Sequence, residues 1–109
     1  MDGIHNALHW VEDDIERAAS SIKAIGHPLR FKILCTLGRH EVSVLDIVQQ
    51  VGTSQSNISQ HLAILRERGI VSTRKDANRV FYRIDDPRTL KLLQMVGDIF
   101  CARIGRATG

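Results

Sequence analysis

The sequence predicts a mainly α-helical domain with a β-hairpin wing, its elements in the order α-α-α-α-β-β-α. Three observations support that prediction. Apolar residues recur at helical spacing on both sides of "GHP" at 26–28 and again after "DDP" at 85–87. Two short helical patterns meet at Gly52, a natural turn residue. The stretch "IVSTRKDANRVFYRID" at 70–85 is rich in β-branched and aromatic residues around Asp76-Ala77-Asn78, as two strands and their turn should be.

In chain order, the first helix covers about 6–25 and carries Leu8, Val11, Ile15, Ala18, Ala19, Ile22 and Ile25. Gly26 suits its C-terminal cap, and Pro28 suits the first turn of a second helix at about 28–38. Helices at about 44–51 and 54–68 follow, so a helix-turn-helix occupies about 43–68. The wing takes about 70–85, with Val80, Tyr82 and Ile84 alternating against Arg79, Phe81 and Arg83 so that one face meets the core. Asp86 suits an N-cap and Pro87 the first position of a last helix at about 87–104. On that helix Leu90, Leu92, Leu93, Met95, Val96, Ile99 and Phe100 wrap over more than one stripe. Helices apolar on two sides in so small a chain need a second surface to bury against. The expected surface is the same pair of helices in a second copy, giving a homodimer.

The chain has 109 residues, 43% hydrophobic and 25% charged, which fits a single globular domain spanning 1–109. No apolar run approaches the roughly 18 residues needed to cross a bilayer. The opening "MDGIHNALHWVEDD" is acidic and lacks the layout of a secretory signal, so no membrane partner and a cytoplasmic location are expected. The net charge of +3 is unevenly spread: residues 1–20 hold five acids against one base, whereas residues 54–83 hold six bases against two acids. Such a dipole turns one end of the molecule toward a polyanion. Two cysteines make no disulfide framework and fall short of a closed zinc site, so neither metal nor cofactor is expected. With no CxxC and no evident general base, the composition does not suggest an enzyme.

"DIVQQVGTSQSNISQHLAILRERGIV" is the most informative stretch. At 100° per residue, Ile58, Leu62 and Leu65 fall together as a buried stripe. Ser56, Ser59, Gln60 and Ala63 fall opposite, flanked by Gln55 and Asn57, with Ser54 at the helix start. A face of small hydrogen-bonding residues is what a helix needs to enter a major groove and reach base edges. Ser54, Gln55, Ser56, Asn57, Ser59 and Gln60 are therefore the candidate DNA contacts. Arg74, Lys75 and Arg79, bracketing the hairpin turn, are candidates for phosphates or a minor groove. A helix-turn-helix followed by a basic hairpin is a winged helix. His61 falls beside Leu65 on the inward side, as a packed and hydrogen-bonded histidine. His5, His9, His27 and His40 are scattered without ligand spacing, and Asp13, Asp14 and Glu16 read as a solvated face.

The span from "AIGHPLRFKILCTL" through "SVLDIVQQVGTSQSNISQHLAILRERGIVSTRKDANRVFYRI" resembles the ArsR/SmtB family of winged-helix repressors. The resemblance implies a symmetric dimer, built through the first and last helices, that binds an imperfect palindrome in double-stranded operator DNA and is released by an inducer. The family's arsenic-type motif, E-L-C-V-C-D-L, aligns with "EVSVLDI" at 41–47, where Ser43 and Leu45 replace the thiols. Its zinc-type pattern needs histidines that 88–104 lacks. The cysteine positions are similar instead to the HlyU/BigR/SqrR branch, which responds to persulfides and related oxidants. What this implies is that Cys35 and Cys101 are the redox-sensing pair. They would be close within one subunit and bridged, directly or through extra sulfur, by a persulfide or polysulfide inducer. Neither local sequence marks a reactive thiol: Cys35 sits in "ILCTL" on an apolar helix, where burial would raise its pKa. A metal or small-ligand sensor, or a constitutive DNA binder with structural cysteines, is the alternative.

Overall fold

The computed structural model describes residues 9–101. Five helices and three strands run in the order α1 (Glu12–Gly26), α2 (Pro28–Leu37), β1 (Val42–Ser43), α3 (Val44–Val51), α4 (Gln55–Glu67), β2 (Val71–Asp76), β3 (Arg79–Ile84) and α5 (Arg88–Phe100). The winged helix expected from the sequence is present, with one strand more than predicted. β1 pairs antiparallel with β3, Val42 opposite Tyr82 and Ser43 opposite Phe81, so the sheet order is β1-β3-β2. Two residues are too few to display an alternation, which is why the sequence pattern did not reveal this strand.

α1 begins later than the predicted residue 6. Residues 6–8 lie outside the described residues, and 9–11 are not helical. Val11 caps the helix without a side-chain bond, while Glu12, Asp13 and Asp14 in the first turn suit the positive end of the helix dipole. Gly26 belongs to α1 and does not cap it. The single residue His27, extended at φ −70° and ψ 131°, both ends α1 and starts α2, its ring Nδ1 accepting the Leu29 N–H at 3.1 Å. At the other junction α5 starts one residue later than predicted: Pro87 takes the N-cap position in place of Asp86, without a side-chain cap, and Asp86 one place before it accepts the Arg88 N–H at Oδ1 at 2.9 Å. Residues 102–104 of the predicted last helix lie outside the described residues.

One core joins all layers: Ile33, Leu34 and Leu37 from α2, Ile47 and Val51 from α3, Ile58, Leu62 and Leu65 from α4, Val71 and Ile84 from the sheet, and Leu93 from α5. The turn between α3 and α4 depends on Gly52 at φ +85°, a left-handed conformation that costs side-chain-bearing residues roughly 1–2 kcal/mol. Lys32 Nζ holds the end of α3 from below, donating to the Val51 carbonyl at 3.1 Å. The wing closes through Ala77 and Asn78, with Asp76 opposite Arg79. No helix of the described residues is long and apolar enough to cross a membrane.

Much apolar surface stays uncovered in the single chain. On α1 it includes Ile15 and Ile22, the latter 64% exposed; on α5 it includes Leu92, Met95, Ile99 at 64% and Phe100 at 77%.

Candidate nucleic-acid interface and thiol pair

α4 presents the predicted two faces. Ile58, Leu62 and Leu65 are buried, and Gln55, Ser56, Ser59 and Gln60 are exposed. The start of the helix is held by its own side chains. Ser54 Oγ accepts the Asn57 N–H at 3.1 Å, an N-cap, and Asn57 Nδ2 donates to Thr53 Oγ1 at 3.2 Å. Ser54 keeps its hydroxyl proton for an outside acceptor, whereas Asn57 is half-buried. Gln55, Ser56, Ser59 and Gln60 thus form the outward polar face of the helix, with Ser54 exposed at its start.

The three basic wing residues are not equivalent. Arg74 grips Glu41 in a two-pronged pair, Nε to Oε2 at 2.9 Å and Nη2 to Oε1 at 2.8 Å, and its guanidinium lies 4.9 Å from the Phe81 ring centre. Its hydrogen bond holds the Glu41 carboxyl below the usual carboxylate range. Arg79 approaches the same ring at 5.4 Å and donates to Ser43 Oγ at 3.3 Å. Lys75 stands exposed opposite Val80. A groove of about 450 Å³ runs between α4 and the wing, and Gln55, Ser59, Asn78 and Arg79 line it together. The fold therefore brings the recognition-helix face and Arg79 to one surface, while Arg74 is turned aside to the residue preceding β1.

Sequence reasoning missed Glu41, Ser43, Asn78 and Phe81 as parts of this surface. Ser43 carried a readable signal, since a serine opening a helix is an N-cap, and its Oγ accepts the Asp46 N–H at 3.2 Å. The role of Phe81 had none, because it needs the positions of both arginines across the sheet.

Beneath α4, His61 is half-buried as expected and packs on His27 with ring centres 4.6 Å apart. Arg30 Nη1 lies 3.0 Å from His61 Nδ1, and its Nε donates to the Ala24 carbonyl at 2.6 Å. Because arginine only donates, Nδ1 of His61 accepts and the ring is neutral. Partial burial first, then the charges of His27 and Arg30, push the His61 pKa below its ordinary 6.5. The unfolded chain therefore takes up this proton before the folded one, so stability is full above about pH 6.5 and falls as pH drops below it. Urea midpoints at pH 7.5 and 5.5 should show that decline, and His61→Gln should flatten it; an equal decline in the variant would assign it to other groups.

Both thiols are free and exposed. Cys35, expected to be partly buried, is instead exposed: α2 directs Ile33, Leu34 and Leu37 inward, and at 100° per residue Cys35 lies roughly 150° from their mean direction. Desolvation by its surroundings nonetheless pushes the Cys35 thiol up from its ordinary value, the predicted direction. Cys101 caps the C-terminal end of α5, its N–H donating to the Gly97 carbonyl at 2.8 Å. The two helices that carry the thiols, α2 and α5, pack against each other. Among the described residues no group of three or more His, Cys, Asp or Glu side chains is placed to hold a metal ion.

Residues 27–73 match the family model described as bacterial regulatory protein, arsR family. The biofilm growth-associated repressor of Xylella fastidiosa strain 9a5c is 37% identical over 99 residues, covering 87% of each chain. The solved structure of reduced HlyU from Vibrio cholerae N16961 is 36% identical, with a TM-score of 0.74 over 83% of this chain and 95% of that one. The transcriptional repressor BigR from Xylella fastidiosa is also 36% identical, with a TM-score of 0.72 over 84% of this chain and 98% of that one. With the glycine-turned helix pair, the polar α4 face and the wing already described, the chain belongs to the arsR family of bacterial regulatory proteins, DNA-binding transcriptional regulators and not enzymes, in the branch that includes HlyU and BigR.

Proposed function

We propose that the protein is a homodimeric transcriptional repressor that holds operator DNA while its thiols are reduced and releases it when they are bridged. The dimer would pack through α1 and α5, whose exposed apolar faces are otherwise unexplained. Ser56, Ser59, Gln55 and Gln60 read base edges in this scheme, with Ser54 and Asn57 ordering the helix start against the phosphates. Arg79 and Lys75 contact the backbone from the wing; Arg74 joins them only by giving up Glu41. Two-fold symmetry then calls for an imperfect palindrome whose half-sites lie about one helical turn, roughly 34–36 Å, apart.

The observation that carries the switch is the pair of exposed thiols on α2 and at the end of α5, two helices in contact. One thiolate attacks the sulfane sulfur of a persulfide, RSSH, whose S–S bond breaks to release RSH and leave a protein persulfide. The second thiolate attacks the inner sulfur, hydrosulfide departs, and Cys35 and Cys101 are joined. The two thiols lose two electrons and the sulfane sulfur leaves as sulfide; further equivalents would leave extra sulfur in the bridge. Tying α2 to α5 would move the core that carries α4 relative to the dimer helices.

Intact-protein mass spectrometry after polysulfide treatment, with operator binding measured on the same sample, tests this. A Cys35–Cys101 link and weaker binding are expected together, and Cys35→Ser and Cys101→Ser proteins should keep DNA in the presence of polysulfide. A link without weaker binding, or a normal response from either variant, would refute the switch while leaving DNA reading intact.

A further inference from the structure

A second cavity, of about 620 Å³, lies between the foot of the wing and the first turns of α5. Its size falls within the roughly 300–1,000 Å³ of small-molecule sites. It shares no lining residue with the α4–wing groove and includes neither cysteine. Ile84, Pro87 and Leu90 supply an apolar wall. Three cations converge on it from three different elements: Arg39 after α2, Arg83 on β3 and Lys91 on α5. None of the three has an ion-pair partner among the described residues.

Two carboxylates share the wall, but they do not balance the cations. Glu41 is held by its two-pronged bond to Arg74 and also feels the charge of Arg83, which leaves Asp85 as the one acid of this wall without an ion pair among the described residues. Arg39, Arg83 and Lys91 are solvent-exposed, so they do not require a counter-charge but are free to offer one. An inorganic anion alone would leave the apolar wall wet, and an uncharged apolar molecule would make no use of the cations. From this pairing of convergent cations with an apolar wall we infer that the cavity binds a small organic anion, a single carboxylate or sulfonate on an apolar body. Such a ligand would touch the α2–β1 corner, the wing strand and α5 at once. That gives it a purchase on the wing separate from any thiol chemistry.

Titration of the uniformly ¹⁵N-labelled full chain with benzoate or benzenesulfonate, followed by amide chemical shifts, tests the site. Benzyl alcohol and acetate serve as controls lacking the charge or the apolar body. Saturable shifts at Gly38, Ile84, Leu90 and Lys91 are expected with both aromatic anions, with the controls at least tenfold weaker. Arg39→Gln and Lys91→Gln, both at exposed positions, should each weaken benzoate about tenfold, the loss of one charge-assisted contact. A Cys35→Ser/Cys101→Ser protein should bind benzoate unchanged, which separates this site from the proposed switch. Benzyl alcohol binding as tightly as benzoate, shifts that do not saturate or that map elsewhere, or unchanged affinity in both charge variants would overturn the inference.

Discussion

Ile99→Glu is expected to leave the chain folded but monomeric and to weaken operator binding by roughly 10²–10⁴-fold, the range by which joining two binding modules exceeds either alone. In the single chain Ile99 is largely exposed on α5, so a glutamate there meets water and the domain's own core is untouched. In the proposed dimer the same position lies against a partner, with Leu92, Met95 and Phe100 along the same helix and Ile22 on α1. A carboxylate buried there without a counter-charge costs far more than the lost methyl contacts. Each half-site would then be held by one winged helix alone. Sedimentation analysis and fluorescence anisotropy on operator DNA, at the same protein concentrations, check both halves of the statement. A variant that remains dimeric with undiminished affinity would remove this face of α5 from the interface.

Leu62→Ala should cost about 2–5 kcal/mol of folding stability, the usual loss for a large aliphatic side chain removed from a packed interior. Leu62 is 1% exposed and belongs to the cluster in which α4 meets α2 and α3. Domains of this size hold only about 5–15 kcal/mol in total, so the loss reaches a large fraction of it. Each kcal/mol lowers Tm by about 4–8 °C in a small domain, which makes thermal unfolding a sensitive measure. The protein that remains folded should still bind DNA, because Gln55, Ser56, Ser59 and Gln60 project from the other side of the helix. A loss below about 1 kcal/mol would mean that the core closes over the gap.

The two faces of α4 show what could be read from the sequence. A helix repeats every 3.6 residues whatever surrounds it, so Ile58, Leu62 and Leu65 had to fall together and the serines and glutamines opposite. His61 was legible for the same reason. Cys35 could have been placed by the same angle, but the surrounding "ILCTL" drew attention to its apolar neighbours rather than to its direction. β1 and the wing were harder. Val42 and Ser43 are a strand only because β3 lies beside them, and Arg74 finds Glu41 across 33 positions of sequence. No local pattern encodes such a pairing. Arg74 faces the protein because Glu41, distant in sequence, lies within its reach.

The corner between α1 and α2 has a mechanical consequence. A hinge needs several residues whose backbone can rotate, and here only His27 separates one helix from the next. Its ring lies against His61 of α4, and Arg30 ties the same corner to both Ala24 and His61. In the proposed dimer α1 would therefore act as a lever arm with little slack, a small rotation at its far end reaching the middle of α4 instead of being absorbed in a joint. Over the length of a helix a few degrees become ångströms, and in the proposed dimer that would bring the two α4 helices into or out of step with the turns of a duplex.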